Sequence, residues 1–259
     1  MDLFSVLKIA SDCLFCGCAV ETIPSAADSH STEVFTQYPV KLGQLPIICY
    51  QCHTHLPFCI NNCLVCGLPL TPLELQASSL SSPCGECLKN SPAFDHTVSI
   101  FHYQAPINRL ITQLKYASQF RYLPLLSSYL VAKISHFYRQ QSLPQALVPV
   151  PLHPSKLKAR GFNQSSLIAA ELQKRLNIPI LTSGVIRHKK TFPQSDLDAK
   201  QRQKNLKNAF QVLLKPPSHI AIIDDVVTTG ATASELAKVL RLAGAKQVDV
   251  WSLARAYDI

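Results

Sequence analysis

Near the end of the chain, a run of acids, hydroxyls and one glycine follows an apolar stretch that predicts a strand over residues 219–223. The acids are Asp224 and Asp225. After a short turn, five residues open a predicted helix, namely Thr228, Thr229, Gly230, Ala231 and Thr232. Free amide N–H groups at a helix start bind anions, and threonine hydroxyls add further donors. These five residues are therefore candidates for a phosphate-binding loop.

The two acids require a different partner from this loop, because a carboxylate repels a phosphate. Adjacent carboxylates are good acceptors for the vicinal hydroxyls of a sugar, or for Mg²⁺ held through water. A diol site beside an anion site indicates a ribose 5-phosphate as the ligand. Either half alone would indicate only a solvated loop or a capped helix. The order of strand, acids, turn and helix is what favours a binding site.

Ten cysteines lie within residues 13–87 and none lies elsewhere. Eight of them form four C-x-x-C pairs: Cys13/Cys16, Cys49/Cys52, Cys63/Cys66 and Cys84/Cys87. One such pair can occupy two corners of a tetrahedron, and two pairs complete a Zn(Cys)₄ site. The spacing predicts that the third and fourth pairs share a structural zinc ion.

The first two pairs are 32 residues apart, which is long for one zinc site. This spacing leaves open a crossed arrangement, in which pair one joins pair three and pair two joins pair four. Cys18 and Cys59 fall outside the pattern, and we interpret them as ordinary thiols. His53 and His55 are less favoured alternatives as ligands.

Charge and composition divide the chain near residue 92. Residues 1–100 carry three Lys/Arg against eight Asp/Glu, whereas residues 101–259 carry 22 against eight. The sequence therefore predicts a Cys-rich zinc-ribbon domain over residues 1–92 and a second domain over residues 93–259. No apolar run has the roughly 18 residues of a membrane helix, and the start lacks a basic signal-peptide region. We expect a cytoplasmic protein without a membrane span.

The second domain alternates strand and helix patterns, which predicts an α/β fold with a parallel sheet and helices on both faces. Predicted strands cover residues 97–103, 146–151, 180–186, 209–214, 219–223 and 247–254. Predicted helices cover residues 106–118, 123–140, 165–176, 198–208 and 231–243, and a polar loop precedes the third of them.

Between residues 156 and 207 there are twelve Lys/Arg and only three Asp/Glu. Six of these cations exceed what one small anion needs, namely Arg187, Lys189, Lys190, Arg202, Lys204 and Lys207. Such a stretch neutralises the phosphates of a nucleic acid. We therefore hypothesise that this face binds single-stranded DNA.

Residues 220–232 resemble the phosphoribosyl pyrophosphate (PRPP) signature of type I phosphoribosyltransferases. The resemblance implies that Asp224 and Asp225 hold the ribose hydroxyls and are the candidate catalytic residues, while residues 228–232 wrap the 5-phosphate. It also implies Mg²⁺ with PRPP, and a pyrophosphate site in the loop after an earlier strand. The candidates there are Pro151, Leu152, His153, Lys156 and Arg160.

The stretches VPVPLHP, RGFNQ, TFPQSDL and RQKNLKNAF, which begin at residues 148, 160, 191 and 202, are similar to the ComF (ComFC) family of competence proteins. The resemblance implies a PRPP-binding protein that handles incoming single-stranded DNA in the cytoplasm during natural transformation, with other DNA-uptake proteins as possible contacts. It also implies an N-terminal double zinc ribbon, and hence two zinc ions held by sequential Cys pairs.

Two other functions remain open at this point. The chain is an active phosphoribosyltransferase if a nucleobase, nucleotide or amine accepts the sugar, but the sequence identifies neither that acceptor nor a pocket for it. It is a zinc-ribbon scaffold if the ligand pocket is degenerate. Binding of PRPP separates the scaffold from the other two, and release of pyrophosphate separates those from each other.

Overall fold

The computed structural model describes residues 12–20, 48–77, 82–116, 119–189 and 208–257. Six strands lie in these ranges: β1 (Thr97–His102), β2 (Ala146–Pro149), β3 (Val185–Arg187), β4 (Phe210–Val212), β5 (His219–Val227) and β6 (Gln247–Arg255). Four of them form a parallel sheet in the order β1-β6-β5-β2, and β3 and β4 form a separate antiparallel pair.

Eight α-helices are described: α1 (Tyr50–Thr54), α2 (Pro72–Ala77), α3 (Gly85–Lys89), α4 (Ile107–Tyr116), α5 (Leu123–Phe137), α6 (Pro154–Arg160), α7 (Gln164–Leu176) and α8 (Ala231–Leu242). A short 3-10 helix, Phe120–Tyr122, precedes α5. The predicted spacing of α4 is confirmed, because its four apolar positions are all buried. No helix among the described residues has the length and apolarity needed to cross a bilayer.

The sheet is covered on both faces. Residues of α5 and α7 share one apolar core with Ala221 and Ile223 of β5. Residues of α8 share a second core with Ile220 and Ile222. This alternation follows from the two-residue period of a strand, whose successive side chains point to opposite faces. The predicted fold class, a parallel α/β sheet preceded by a small Cys-rich region, is therefore confirmed.

The Cys-rich region packs directly against the sheet. Leu56 and Phe58 belong to the same apolar core as α5. The Cys59 amide donates to the Ile100 carbonyl at 2.9 Å, and the His102 amide donates to the Pro57 carbonyl at 2.7 Å. Residues 57–59 thus cover the outer edge of β1, which would otherwise present unpaired backbone groups.

Three expectations need correction. The predicted loop before α7 contains α6, which begins at Pro154 and is capped by His153. The predicted strand 180–186 is reduced to β3, and Ile180 forms only an isolated bridge with Leu147. Strand β5 continues to Val227, so the two acids lie within its last residues rather than after it. Residues 198–207 of the predicted basic helix lie outside the described residues.

Candidate functional site

A cavity of about 380 Å³ lies at the carboxyl ends of β2 and β5, the usual place for a ligand in an open parallel sheet. Of the predicted site residues, the following line it: Leu152, Lys156, Arg160, Asp224, Asp225, Thr228, Gly230, Ala231 and Thr232. Pro151, His153 and Thr229 are not among the lining residues. His153 instead accepts a hydrogen bond from the Ser155 amide at 3.2 Å at the start of α6.

Asp224 has few partners that stabilise its charge. Asp224 accepts hydrogen bonds from the Ser165 hydroxyl at 3.2 Å and from the Asp225 amide at 2.9 Å. Burial, together with the neighbouring Asp225 carboxylate, raises the pKa of Asp224 to about 7. A carboxyl group at the end of a strand with such a raised pKa is a candidate for ligand binding, because a donor or a cation at this position would stabilise its charge.

Lys115, near the end of α4, reaches into the cavity from outside the predicted motifs. Its Nζ lies 2.9 Å from Oδ2 of Asp225, and its side chain is 23% exposed. Burial lowers the pKa of Lys115, but attraction to Asp225 and Asp224 outweighs burial and leaves the pKa raised. Lys115 therefore neutralises part of the negative charge of the two acids.

The phosphate loop, which we define as residues 228–232, has the backbone of a helix start. Gly230 precedes α8 with a φ of 74°, a conformation that glycine adopts without strain. The Thr229 hydroxyl accepts from the Ala231 amide at 3.3 Å. The loop is therefore held in shape while facing the cavity, with the positive end of the α8 dipole directed at the same space.

The wall of the cavity formed by α6 and β3 carries several cations. Burial lowers the pKa of Lys156, and repulsion from Arg187 and Arg160 lowers it further. The Arg160 guanidinium donates to the Gln164 side-chain oxygen at 2.8 Å and lies 5.2 Å from the Tyr116 ring centroid. Mutually repelling cations held at one wall would be stabilised by an anionic ligand between them.

The eight paired cysteines form two clusters. The first cluster is Cys13, Cys16, Cys49 and Cys52, and the second cluster is Cys63, Cys66, Cys84 and Cys87. Within each cluster the four Sγ atoms lie within 4.8 Å of one another. The Cys16–Cys49 and Cys66–Cys84 sulfurs are 3.7 and 3.8 Å apart. Sulfurs at neighbouring corners of a tetrahedron around zinc are about 3.8 Å apart, so both clusters fit this ion.

Backbone amides support the second cluster. The Cys66 and Cys84 amides donate to the Cys63 sulfur at 3.4 and 3.1 Å. Such bonds stabilise the thiolate form that binds a metal. The sequential pairing is thus the one that the structure adopts, and the crossed pairing is wrong. Cys18 and Cys59 belong to neither cluster, and Cys59 is buried with its sulfur 3.6 Å from Nδ1 of His102.

Sequence comparison finds close relatives among competence and DNA-utilisation proteins. The chain is 42% identical over 180 residues to Competence protein F of Haemophilus influenzae, covering 67% of this chain and 78% of that protein. It is 37% identical over 220 residues to DNA utilization protein YhgH of Escherichia coli K12, covering 84% and 93%. The chain belongs to the ComF family. Competence protein ComFC of Streptococcus pneumoniae is 27% identical over 186 residues, covering 69% and 77%.

No family model matches this ComF protein. Among solved structures, a purine phosphoribosyltransferase from Pyrococcus horikoshii aligns with 51% of this chain and 82% of that chain, at 14% identity and a TM-score of 0.30. This level of similarity is too low to support a functional assignment.

Of the six residues predicted to bind nucleic acid, the structure of this ComF protein describes two, and these two differ in exposure. Arg187 is only 7% exposed, lines the cavity and lies 5.6 Å from the Phe210 ring centroid. Lys189 is exposed. Four residues lie outside the described part of the chain, namely Lys190, Arg202, Lys204 and Lys207. Arg187 is therefore placed to contact an anion inside the cavity rather than single-stranded DNA on the surface.

Sequence reasoning missed several residues that line the cavity: Tyr103, Lys115, Tyr116, Gln164, Ser165 and Arg187 as a cavity residue. Gln164 is the last residue of the RGFNQ stretch and Ser165 follows it at the start of α7, so their place near the cavity could have been inferred from the sequence. Lys115 had no comparable signal, because it meets Asp225 across 110 positions of sequence.

Proposed function

We propose that this ComF protein binds PRPP in the cavity and handles single-stranded DNA in the cytoplasm during natural transformation. The observation that carries the proposal is the distribution of charge around one space. Acids lie at the end of β5, the start of α8 lies beside them, and Lys156, Arg160 and Arg187 form another wall. This distribution complements a sugar with hydroxyls, a terminal phosphate and a pyrophosphate.

Each part of PRPP has a proposed partner. Asp224 and Asp225 accept hydrogen bonds from the ribose hydroxyls, and the phosphate loop donates amides to the 5-phosphate. Lys156 and Arg160 bind the pyrophosphate as charged donors. Mg²⁺ would arrive with PRPP and neutralise pyrophosphate charge, with the two acids as its candidate protein contacts.

Calorimetry with PRPP and Mg²⁺ tests this site directly. We expect Asp224→Asn and Asp225→Asn to weaken binding at least about tenfold, because each removes a charged acceptor for a sugar hydroxyl. Glu171→Gln, a carboxylate paired with Lys174 on α7, is the matched control and should bind as the wild type does. Equal affinity in all four proteins would refute the site.

Protonation of Asp224 gives the same experiment a second readout. Its pKa is about 7, and a ligand that donates hydroxyls favours the ionised form. Affinity should therefore rise as the pH is raised from about 6 to about 8, with proton release on binding that is largest below pH 7. Buffers of different ionisation enthalpy measure that release, which should be smaller in Asp224→Asn than in the wild type.

The proposed DNA contact depends on the basic stretch that includes the exposed Lys189. The affinity of the protein for single-stranded DNA should come mainly from phosphate contacts and should fall steeply with salt. Anisotropy of labelled single strands at rising salt, for the wild type and for Lys189, Lys190, Arg202 and Lys204 all changed to Glu, measures this. Equal binding by both proteins would remove this stretch from the proposal.

Phosphoribosyl transfer is the second candidate function, because Tyr103 and Tyr116 line the same cavity and offer rings for an acceptor base. In that reaction the bond between ribose C1 and the pyrophosphate oxygen breaks, and pyrophosphate leaves with the electron pair. An acceptor nitrogen forms the new bond to C1 and loses a proton. Pyrophosphate release that requires both an added acceptor and Asp225 would favour this function.

A further inference from the structure

We propose that the second cluster controls the phosphate loop, with Arg255 as the positioning residue that joins them. Occupancy of this cluster by a metal ion and binding of a sugar phosphate at the loop would then be coupled. The inference rests on the proposed function for its ligand, but the contacts that carry it are present in the chain itself.

Arg255, the last residue of β6, is 3% exposed and makes the principal connection. Its Nε donates to the Cys66 carbonyl at 2.7 Å. Its Nη1 donates to the Val227 carbonyl at 3.2 Å and also to the carbonyls of Thr228 and Ala256. One buried guanidinium therefore contacts a residue of the second cluster and the first residue of the phosphate loop.

A second connection runs through the chain that follows Cys87. The Ala93 amide donates to the Ser234 hydroxyl of α8 at 3.1 Å, and its carbonyl accepts from Nε of Arg241 at 2.7 Å. The Phe94 ring lies directly behind Gly230, where an added Cβ would meet the ring at 3.5 Å. The segment leaving the second cluster thus packs against the phosphate loop and α8, and neither Ala93 nor Phe94 is among the residues that line the cavity.

Metal binding decides whether these contacts persist. A Cys₄ site folds around its ion, and loss of the ion opens the turns that carry the ligands. The Cys66 carbonyl would then leave Nε of Arg255, and a buried charged donor without an acceptor is costly. Arg255 would shift to recover a partner, which weakens its hold on the carbonyls of Val227 and Thr228. By linkage, a ligand at the loop must stabilise the metal in return.

The first cluster provides an internal control because it contacts other elements. Cys13 belongs to the apolar core formed with α5, and Phe15 lies against Tyr122, with ring centroids 6.3 Å apart. Loss of metal from the first cluster therefore disturbs the protein near α5. Loss from the second cluster disturbs it near the ends of β5 and β6.

The test compares Cys66→Ser with Cys16→Ser in the full zinc-loaded chain, with native mass spectrometry to establish that each variant has lost one ion. Hydrogen exchange of residues 226–236 is measured first. We expect exchange about tenfold faster in Cys66→Ser and close to wild type in Cys16→Ser. Equal exchange in the two variants, or unchanged exchange in Cys66→Ser, would overturn the coupling.

Arg255→Lys keeps the proposal testable if Cys66→Ser does not fold, because it retains all eight cysteines. We expect it to keep both zinc ions, to show faster exchange in the phosphate loop and to bind ribose 5-phosphate about tenfold more weakly. Arg175→Lys on α7 is the matched control. Unchanged exchange in Arg255→Lys would contradict its role as the connecting residue.

Release of zinc to a chelating dye, with and without ribose 5-phosphate, tests the reciprocal effect. The sugar phosphate should slow release of one ion in the wild type and have no effect on it in Arg255→Lys. If neither ribose 5-phosphate nor PRPP with Mg²⁺ binds the wild type at millimolar concentration, the proposed function fails. The exchange comparison then still decides whether the second cluster and the loop are coupled.

Discussion

Two acids at opposite ends of neighbouring strands, Asp249 and the half-buried Asp224, have very different surroundings. Asp249, near the start of β6, is fully buried. Its two oxygens lie 2.9 Å from Nδ1 of His96 and 2.6 Å from Nε2 of His219, and they also accept from the Tyr138 hydroxyl at 2.6 Å. Burial raises the pKa of Asp249, but these hydrogen bonds lower it by more.

Asp224, near the end of β5, has weaker support. One hydroxyl and one amide donate to it, and burial beside Asp225 leaves its pKa raised rather than lowered. The protein therefore satisfies the charge at one end of the sheet with its own side chains. At the other end it leaves a charge unsatisfied beside a cavity, which is the arrangement expected of a binding site.

Replacing each acid by its amide should give the largest contrast. We expect Asp249→Asn to destabilise the fold by about 3 kcal/mol, because the amide group brings donors to a position surrounded by donors. Asp224→Asn should change stability by less than about 1 kcal/mol or increase it, because it removes a charge that the fold supports poorly. Urea unfolding of both variants measures this, and equal losses would break the contrast between the two ends.

The pH dependence of stability should have opposite signs at the two acids. A lowered pKa at Asp249 stabilises the fold above the unfolded value of about 3.9 and is lost as the pH falls through the folded pKa. A raised pKa at Asp224 does the reverse, so the wild type should lose stability relative to Asp224→Asn as the pH rises from about 4 to about 7. Urea titrations of the two proteins at matched pH measure that difference, and a flat difference would contradict the raised pKa.

The contribution of Asp249 and its partner His96 to stability also falls at higher pH, because His96 titrates. Its pKa is raised by the hydrogen bond to Asp249. Its stabilising effect is therefore complete below the unfolded value of about 6.5 and is lost as the pH rises through the folded pKa. Together, the two groups are most stabilising between about pH 4 and 6.5.

The smallest expected effect is that of Lys115→Met, which removes the cation beside Asp225. We expect a loss of about 1 kcal/mol or less, because the Lys115 side chain of the pair is 23% exposed. The titration midpoint of Asp224 should move upward, since Lys115 lowers the pKa of that carboxyl. Carboxyl carbon shifts in NMR measure the midpoint. Lys174→Met is the control, and an equal shift there would make the effect nonspecific.

Local patterns predicted the elements that carry the site. The apolar spacing of α4 and the strand-turn-helix order around Gly230 depend on neighbours within a few residues, so the sequence contains them directly. The same holds for the two halves of each Cys pair. The acids, residues 228–232 and the paired cysteines can therefore be singled out as candidates from neighbouring residues alone.

Contacts between distant parts of the chain were not predictable in this way. Helix α6 is a local element and was missed for a different reason, because histidine is not among the usual capping residues, yet His153 caps it. The roles of Lys115 and Asp249 depend on partners over a hundred residues away in each case, such as Asp225 and Tyr138. No local pattern records such a pairing, since it exists only once the sheet has formed.

The cover that residues 57–59 place over β1 has a practical consequence for anyone who divides the protein. A shortened chain that starts at residue 93 would keep the whole parallel sheet but expose the backbone groups of Ile100 and His102 that now pair with Cys59 and Pro57. An edge strand with unpaired backbone groups can pair with a strand of a second molecule and extend the sheet. We therefore expect the shortened chain to self-associate more readily than the full chain.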